Sequence, residues 1–208
     1  MQSLLIATTN PGKFAELSSL LSHLPVKLVS PIDLDLHLDV EENGQTYTRN
    51  SSIKATAFAK ASHMLAIADD SGLEVDALGG LPGLHSARFT GEHSASDADR
   101  RALLLSRLKD QPKPWLAHFH CTAAVSSPSG ECIFGDGDCP GEIIDHELGS
   151  NGFGYDPIFM LREIHKTMAQ LSMEEKNQLS HRARAVQAIL PSLNKLLKKT
   201  SRSFGVRF

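Results

Sequence analysis

Ser3-Leu4-Leu5-Ile6-Ala7-Thr8-Thr9-Asn10-Pro11-Gly12-Lys13 passes from an apolar run, through a polar turn, into the start of a helix. The run over residues 3–8 reads as a buried strand. Asn10 suits an N-cap, and Pro11 suits the first helical position, where a missing N–H costs nothing and φ is already helical. Phe14, Leu17, Leu21 and Leu24 then recur at helical spacing and give that helix a face to bury. A strand that feeds straight into a helix is the basic step of an α/β fold.

The same alternation continues outward. Residues 26–40 leave room for a strand, and Asn43-Gly44 marks a turn. Residues 46–64 read as a long alanine-rich helix with Ile53, Ala57 and Ala61 on its apolar side. Residues 65–68 read as a strand that ends in Asp69-Asp70-Ser71-Gly72, a turn composition. Residues 73–78 alternate apolar and acidic, and Gly79-Gly80-Leu81-Pro82-Gly83 is a loop. Residues 96–109 form a helix with Ser96 as N-cap and Asp99 at N3, close to a capping box. Residues 115–126 alternate as a strand, and a second strand around Cys132 follows a hairpin turn at residues 128–130. Residues 149–156 are a glycine-rich loop. Ser172-Met173-Glu174-Glu175 opens a short helix, and Ser180 caps the last one, striped by Val186, Ile189, Leu190, Leu193 and Leu197. Pro191 is expected to kink it, and the basic tail beyond Lys198 to fray.

At 41% hydrophobic residues, the 208-residue chain has a sizeable core to bury. No linker is visible, so two lobes of one domain over residues 1–208 are expected. A formal net charge of -3 argues against a nucleic acid polymer as partner. Cys121, Cys132 and Cys139 form no C-x-x-C pair, which argues against zinc and disulfides and fits a reducing compartment. The first apolar run is too short for a signal peptide, and no stretch approaches the ~20 apolar residues of a membrane span. The expectation is a cytoplasmic protein without a membrane partner.

Four segments carry chemistry. In Thr8, Thr9, Asn10, Pro11, Gly12 and Lys13, free N–H groups at a helix start favour an anion. Lys13 opposes the macrodipole there, a conflict that a bound phosphate resolves; a capped helix with a solvated lysine is the plain alternative. The second segment is acidic: Glu41 and Glu42 before the Asn43-Gly44 turn, and Asp69 and Asp70 at a strand end. Such carboxylates suit Mg²⁺ beside phosphate, and neighbours on a strand face opposite ways, so only one of Asp69 and Asp70 meets a given metal. In the third, Gly152 to Pro157, Phe153 and Tyr155 can stack on a base and Asp156 can read its edge, with Gly154 between them; the alternative is a tight turn with two core aromatics. The fourth joins Lys176 to Ser180-His181-Arg182, which share a face only if the helix breaks at Ser180. Asn50 and Lys54, one turn apart, face either the site or solvent. His118 and His120 read as structural.

Taken together, ATTNPGKFAEL, EENGQTY, AIADDSGLEVDALGGLPGLHSARFTGE, GSNGFGYDPIF and LSMEEKNQLSHR resemble, in order and over nearly the whole chain, the inosine triphosphate pyrophosphatase or Ham1 family. The resemblance implies an elongated two-lobed α/β fold, with a long mixed β-sheet flanked by helices and the active site in the cleft between lobes. It also implies a homodimer and Mg²⁺ as cofactor. It assigns phosphate binding to Thr8 through Lys13, the metal to Glu41 and Asp70, and the proton-accepting role to Asp70. Ser71, Lys54, Phe153, Gly154, Tyr155, Asp156, Lys176, His181 and Arg182 then contact the nucleotide. Thr9 departs from a common glycine, and Arg49-Asn50-Ser51 from a more acidic and smaller trio. The reaction so implied is hydrolysis of ITP, dITP or XTP to the monophosphate and pyrophosphate. Its rivals are a phosphoesterase acting on polymers, a nucleotide-sensing module and a Maf-like pyrophosphatase with another base preference.

Overall fold

The computed structural model describes residues 2–92 and 94–204, with side chains as far as residue 199. Eight strands join in one mixed sheet: β1 (Ser3–Ile6), β2 (Lys27–Val29), β3 (Leu65–Val75), β4 (Pro82–Gly83), β5 (Trp115–Ser126), β6 (Cys132–Ile143), β7 (Phe159–Leu161) and β8 (Lys166–Thr167). Their order is β2-β1-β3-β5-β6-β7-β8, with β4 paired to β3. β1 lies parallel to both β2 and β3, whereas β3–β4, β6–β7 and β7–β8 are antiparallel. The helices are α1 (Pro11–Leu21), α2 (Tyr47–Ser62), α3 (Asp97–Leu108), α4 (Met173–Leu179) and α5 (His181–Phe204). Of the basic tail expected to fray, the part beyond Phe204 lies outside the described residues. Among the described residues no helix is long and apolar enough to cross a membrane.

The chain divides into two compact units. The first takes the described residues within Met1–Asp70, Thr122–Gly137 and Arg182–Phe208; the second takes Ser71–Cys121 and Asp138–His181. In the first, β1 and β3 pair Leu4 with Leu65, Leu5 with Ala66 and Ile6 with Ile67. Strand side chains alternate between faces, so Leu4, Ile6, Leu65 and Ile67 share one face. They pack against Leu17 and Leu21 of α1 and Val186, Ile189 and Leu193 of α5. Leu5, Ala7, Ala66 and Ala68 share the other face and pack against Ala55, Phe58 and Ala59 of α2. In the second unit, Leu73 and Val75 of β3, Leu104 and Leu108 of α3, and Phe119 of β5 form a core with Tyr155, Ile158 and Phe159.

Three sequence expectations are corrected. β3 does not stop at Ala68; it runs through Asp69-Asp70-Ser71-Gly72 to Val75, because distant partners meet both buried side chains: Lys13 and Arg182 pair with Asp69, and Asn50 donates to Asp70. β6 runs on to Ile143 despite Gly135, Gly137, Pro140 and Gly141. Two of those glycines are packing spaces: a Cβ on Gly135 would lie 2.4 Å from the Ala185 carbonyl oxygen, and one on Gly141 would lie 2.6 Å from the Phe159 ring. The buried residues of α2 are Asn50, Ser51, Ala55, Phe58 and Ala59, not the face of Ile53, Ala57 and Ala61. Phe58 carries the bulk, and the small residues beside it let the helix approach Ala66 and Ala68.

Candidate active site

The face alternation that builds the first unit also sorts its carboxylates. Continuing along β3, Asp69 follows Leu65 and Ile67 onto the face covered by α1 and α5, and there it meets cations from both helices. Lys13 Nζ lies 3.0 Å from Asp69 Oδ2, and Arg182 reaches the same oxygen from Nη2 at 3.0 Å and Nε at 3.2 Å. The guanidinium also donates through Nη1 to Glu16, one turn beyond Lys13 on α1. Arg182, Asp69 and Glu16 are all shut off from solvent. Burial alone would raise the Asp69 pKa, but Arg182, and then Lys13 and Lys54, hold it far below the usual carboxylate range.

Asp70 follows Ala66 and Ala68 onto the face covered by α2, where Asn50 Nδ2 donates to its Oδ2 at 3.0 Å. Asn50 Oδ1 accepts the Gly44 N–H at 2.7 Å, so one amide fixes both Asp70 and the turn after the glutamates. Burial pushes the Asp70 pKa up; Lys13 and the Asn50 hydrogen bond oppose this, and Glu42 adds to it. Lys54, one turn after Asn50, binds Glu42 at 2.8 Å and the Asp69 carbonyl at 3.2 Å. Glu41 is exposed. At the start of α1, Asn10 Oδ1 accepts the Lys13 N–H at 3.0 Å, and Thr9, Asn10 and Pro11 are exposed. Asp69 thus stands where the sequence leaves an anion to be supplied for Lys13.

The second unit holds a different assembly. Asp156 Oδ2 accepts the Phe153 N–H at 2.9 Å and takes the Lys176 ammonium as well. That ammonium sits 5.1 Å from the centre of the Phe153 ring, a cation–π contact. Gly152 is required here: its φ is +75°, and a Cβ would lie 2.0 Å from Asp156 Oδ2. Tyr155 is buried, and its hydroxyl donates to the Ser86 carbonyl at 2.9 Å. Ser180 is extended between α4 and α5, which supplies the helix break required near Lys176. His181 opens α5, buried and stacked on Phe119 at 4.7 Å between ring centres.

Residues 4–192 match the Ham1 family. The chain belongs to the Ham1 family. A relative named dITP/XTP pyrophosphatase from Geobacter sulfurreducens is 45% identical over 187 residues, 89% of this chain and 94% of the relative. One of the same name from Bacillus subtilis is 40% identical over 198 residues, 95% of this chain and 98% of its own. The solved Ham1 protein of Staphylococcus aureus superposes with a TM-score of 0.81 at 40% identity, covering 93% of this chain and 99% of that one. The Ham1 protein of Coxiella burnetii gives a TM-score of 0.83 at 35% identity, covering 94% and 100%.

Within this Ham1 chain, the first unit gathers Lys13, Lys54, Asp70 and Arg182. The second gathers Phe153, Asp156 and Lys176, with Gly154 and Tyr155 in the same loop and Ser71 on β3. At the charged centre Asp69 and Asn50 are read from the sequence without these roles, and Glu16 is missed. Asp69 is the partner shared by two cations, Glu16 is the far anchor of Arg182, and Asn50 aligns Asp70. The signal that could have found Glu16 is its helical spacing from Lys13. Tyr155 lies in the core, so among the two loop aromatics Phe153 is the one left partly open.

Proposed function

We propose that this chain hydrolyses the abnormal purine nucleoside triphosphates ITP, dITP and XTP to the monophosphate and pyrophosphate in the presence of Mg²⁺. One observation carries the reading: a buried Asp70, aligned by Asn50, lies within the electrostatic reach of Lys13 in the first turn of α1. That combination offers a carboxylate for a water and a cationic helix start for phosphate. The name that the relatives carry, dITP/XTP pyrophosphatase, supports two of these substrates, dITP and XTP.

Among the described residues no three His, Cys, Asp or Glu side chains gather as a metal-binding group. Mg²⁺ at a nucleotide site needs only one or two carboxylates, because phosphate oxygens complete its shell. The hard oxygens of Asp70 and the 41–42 segment fit that need. Asp70 and Glu41 would hold the ion, which when bound neutralises charge on the triphosphate oxygens.

Asp70 orients the attacking water and accepts its proton as the bond at the α-phosphorus breaks. Lys13 and the first turn of α1 hold the departing pyrophosphate. Asp69 keeps Lys13 and Arg182 in place, and Lys54 ties the glutamate segment to β3. Phe153 offers a face to the base, and Lys176 a donor for a 6-oxo group, which disfavours the 6-amino group of adenine.

Pyrophosphate release from ITP, dITP, XTP, GTP, ATP and dTTP, with Mg²⁺ or EDTA, tests the proposal. Mg²⁺-dependent release from ITP and XTP is expected, and Asp70→Asn should lower it by about 10²–10⁴-fold, the usual reach of a positioned base. Orthophosphate as the product would overturn attack at the α-phosphorus. A preference for dTTP would move the chain to pyrimidine chemistry. Glu41→Gln and Glu42→Gln, compared for the Mg²⁺ concentration at half-maximal rate, decide which glutamate serves the metal.

A further inference from the structure

The glycine-rich loop is held from outside by α3, and no motif in the chain points to that contact. Asp97 and Arg101 lie one helical turn apart and therefore on one face of α3. Asp97 Oδ2 accepts the Gly154 N–H at 2.7 Å, and Arg101 Nη1 donates to the Gly154 carbonyl at 2.8 Å. The two peptide groups that flank Gly154 are thus pinned by opposite charges. Arg101 also grips Glu147 through both arms of its fork, at 2.8 and 3.0 Å. One guanidinium therefore joins the entrance of the loop to its Gly154 carbonyl.

The loop needs such a hold. Gly149, Gly152 and Gly154 all have φ between +62° and +82°, which gives this stretch a large conformational freedom to lose. Nothing lies within 4 Å of a Cβ built on Gly154, so packing does not fix that residue; hydrogen bonds to α3 do. Charge-assisted bonds are the strong kind. Asp97 sits in the first turn of α3, where the macrodipole favours its charge, and Arg100 pairs with its other oxygen.

We propose that Asp97 and Arg101 are positioning residues that set the plane of the Gly154 peptides, and through them the presentation of Phe153 to the purine. This rests on the reading that the glycine loop meets the base. The pair acts on base binding and selectivity, not on the phosphorus chemistry.

The test is steady-state kinetics on ITP, XTP and ATP for wild type, Arg101→Met, Arg101→Lys and Glu147→Gln, with urea unfolding alongside. Arg101→Met should raise KM for ITP about tenfold with kcat within about twofold, the effect of losing a charge-assisted bond that acts in binding. Arg101→Lys keeps the charge but not the fork, and should fall between at about threefold. The ratio of ITP to ATP efficiency should drop in both. A KM for ITP unchanged in folded Arg101→Met overturns the proposal, as does a loss confined to kcat and equal for ITP and XTP. If Arg101→Met does not fold, Arg101→Lys decides by the same criteria. Wild type separates the two readings: no turnover of any purine triphosphate removes the functional assignment itself, whereas wild-type turnover with indifferent Arg101 variants removes only the clamp.

Discussion

The first unit organises its site with side-chain charge, the second with backbone. In the first, Asp69, Arg182 and Glu16 are buried ions that satisfy one another, and their helices and strand supply little except placement. In the second, the loop glycines create the shape, and charged groups then lock its main chain: Asp156 on the Phe153 N–H, Asp97 and Arg101 on either side of Gly154. A buried ion network fails as a whole when one charge is removed, because its partners stay in a medium that penalises them. A loop pinned at its rim fails by degrees, because the bonds from Asp97 and Arg101 can be replaced by water. The first arrangement suits groups that must hold a charged triphosphate, the second a surface that must discriminate between bases.

Breaking the network gives the largest effect. Arg182→Met leaves Asp69 and Glu16 buried with one cation fewer, and should cost about 3–5 kcal/mol, read as a lowered urea midpoint at constant slope. Adding Glu16→Gln to it should recover part of that loss. Recovery of nothing would show that Glu16 is not held through Arg182. Next comes the loop. Gly152→Ala forces a left-handed backbone onto a residue with a Cβ and presses on Asp156, for a cost of about 1–3 kcal/mol. Its KM for ITP should rise while Mg²⁺ dependence stays as in wild type.

The smallest effects concern pH, and the two neighbouring aspartates should give opposite signs. Asp69 has a depressed pKa in the folded chain. Its stabilisation is complete above the unfolded value near ~4 and is lost as pH falls below that value towards the folded one. Asp70 has a raised pKa, so stability falls as pH rises from the unfolded value of ~4 towards the folded one, and the loss is complete above it. Asp70→Asn, slowed as expected above, should therefore be more stable at neutral pH by about 0.5–2 kcal/mol, the usual size of a stabilising substitution. Thermal melts between pH 3 and 8 check both. A destabilised Asp70→Asn would mean that the carboxylate is satisfied in the resting protein.

Much of this was legible beforehand. The strand–turn–helix opening, the Asn10 cap and the capping boxes at Ser96 and Ser172 stand as read, since each depends on residues a few positions apart. The opposite facing of Asp69 and Asp70 also followed from the strand period alone. Hidden from a local reading was the continuation of β3 past those acids: Asp69 meets Lys13 and Arg182, and Asp70 meets Asn50, all distant in sequence. The α2 face was misread because alanine-rich turns look alike from every side until a sheet chooses one. The α3 clamp was invisible because its acceptor and donor at Gly154 are main-chain atoms, which leave no mark on side-chain patterns.

The uninterrupted run of β3 bears on how this gene can change. Substitutions along an extended strand alter one face at a time, but inserting or deleting a single codon between Leu65 and Asp69 would invert the facing of every later residue. Asp69 would be carried to the helix α2 side and Asp70 towards Lys13 and Arg182, each carboxylate taking the other's surroundings. Variation in chain length should therefore accumulate in the loops before Leu65 and after Val75, while this stretch keeps its count even where its letters drift.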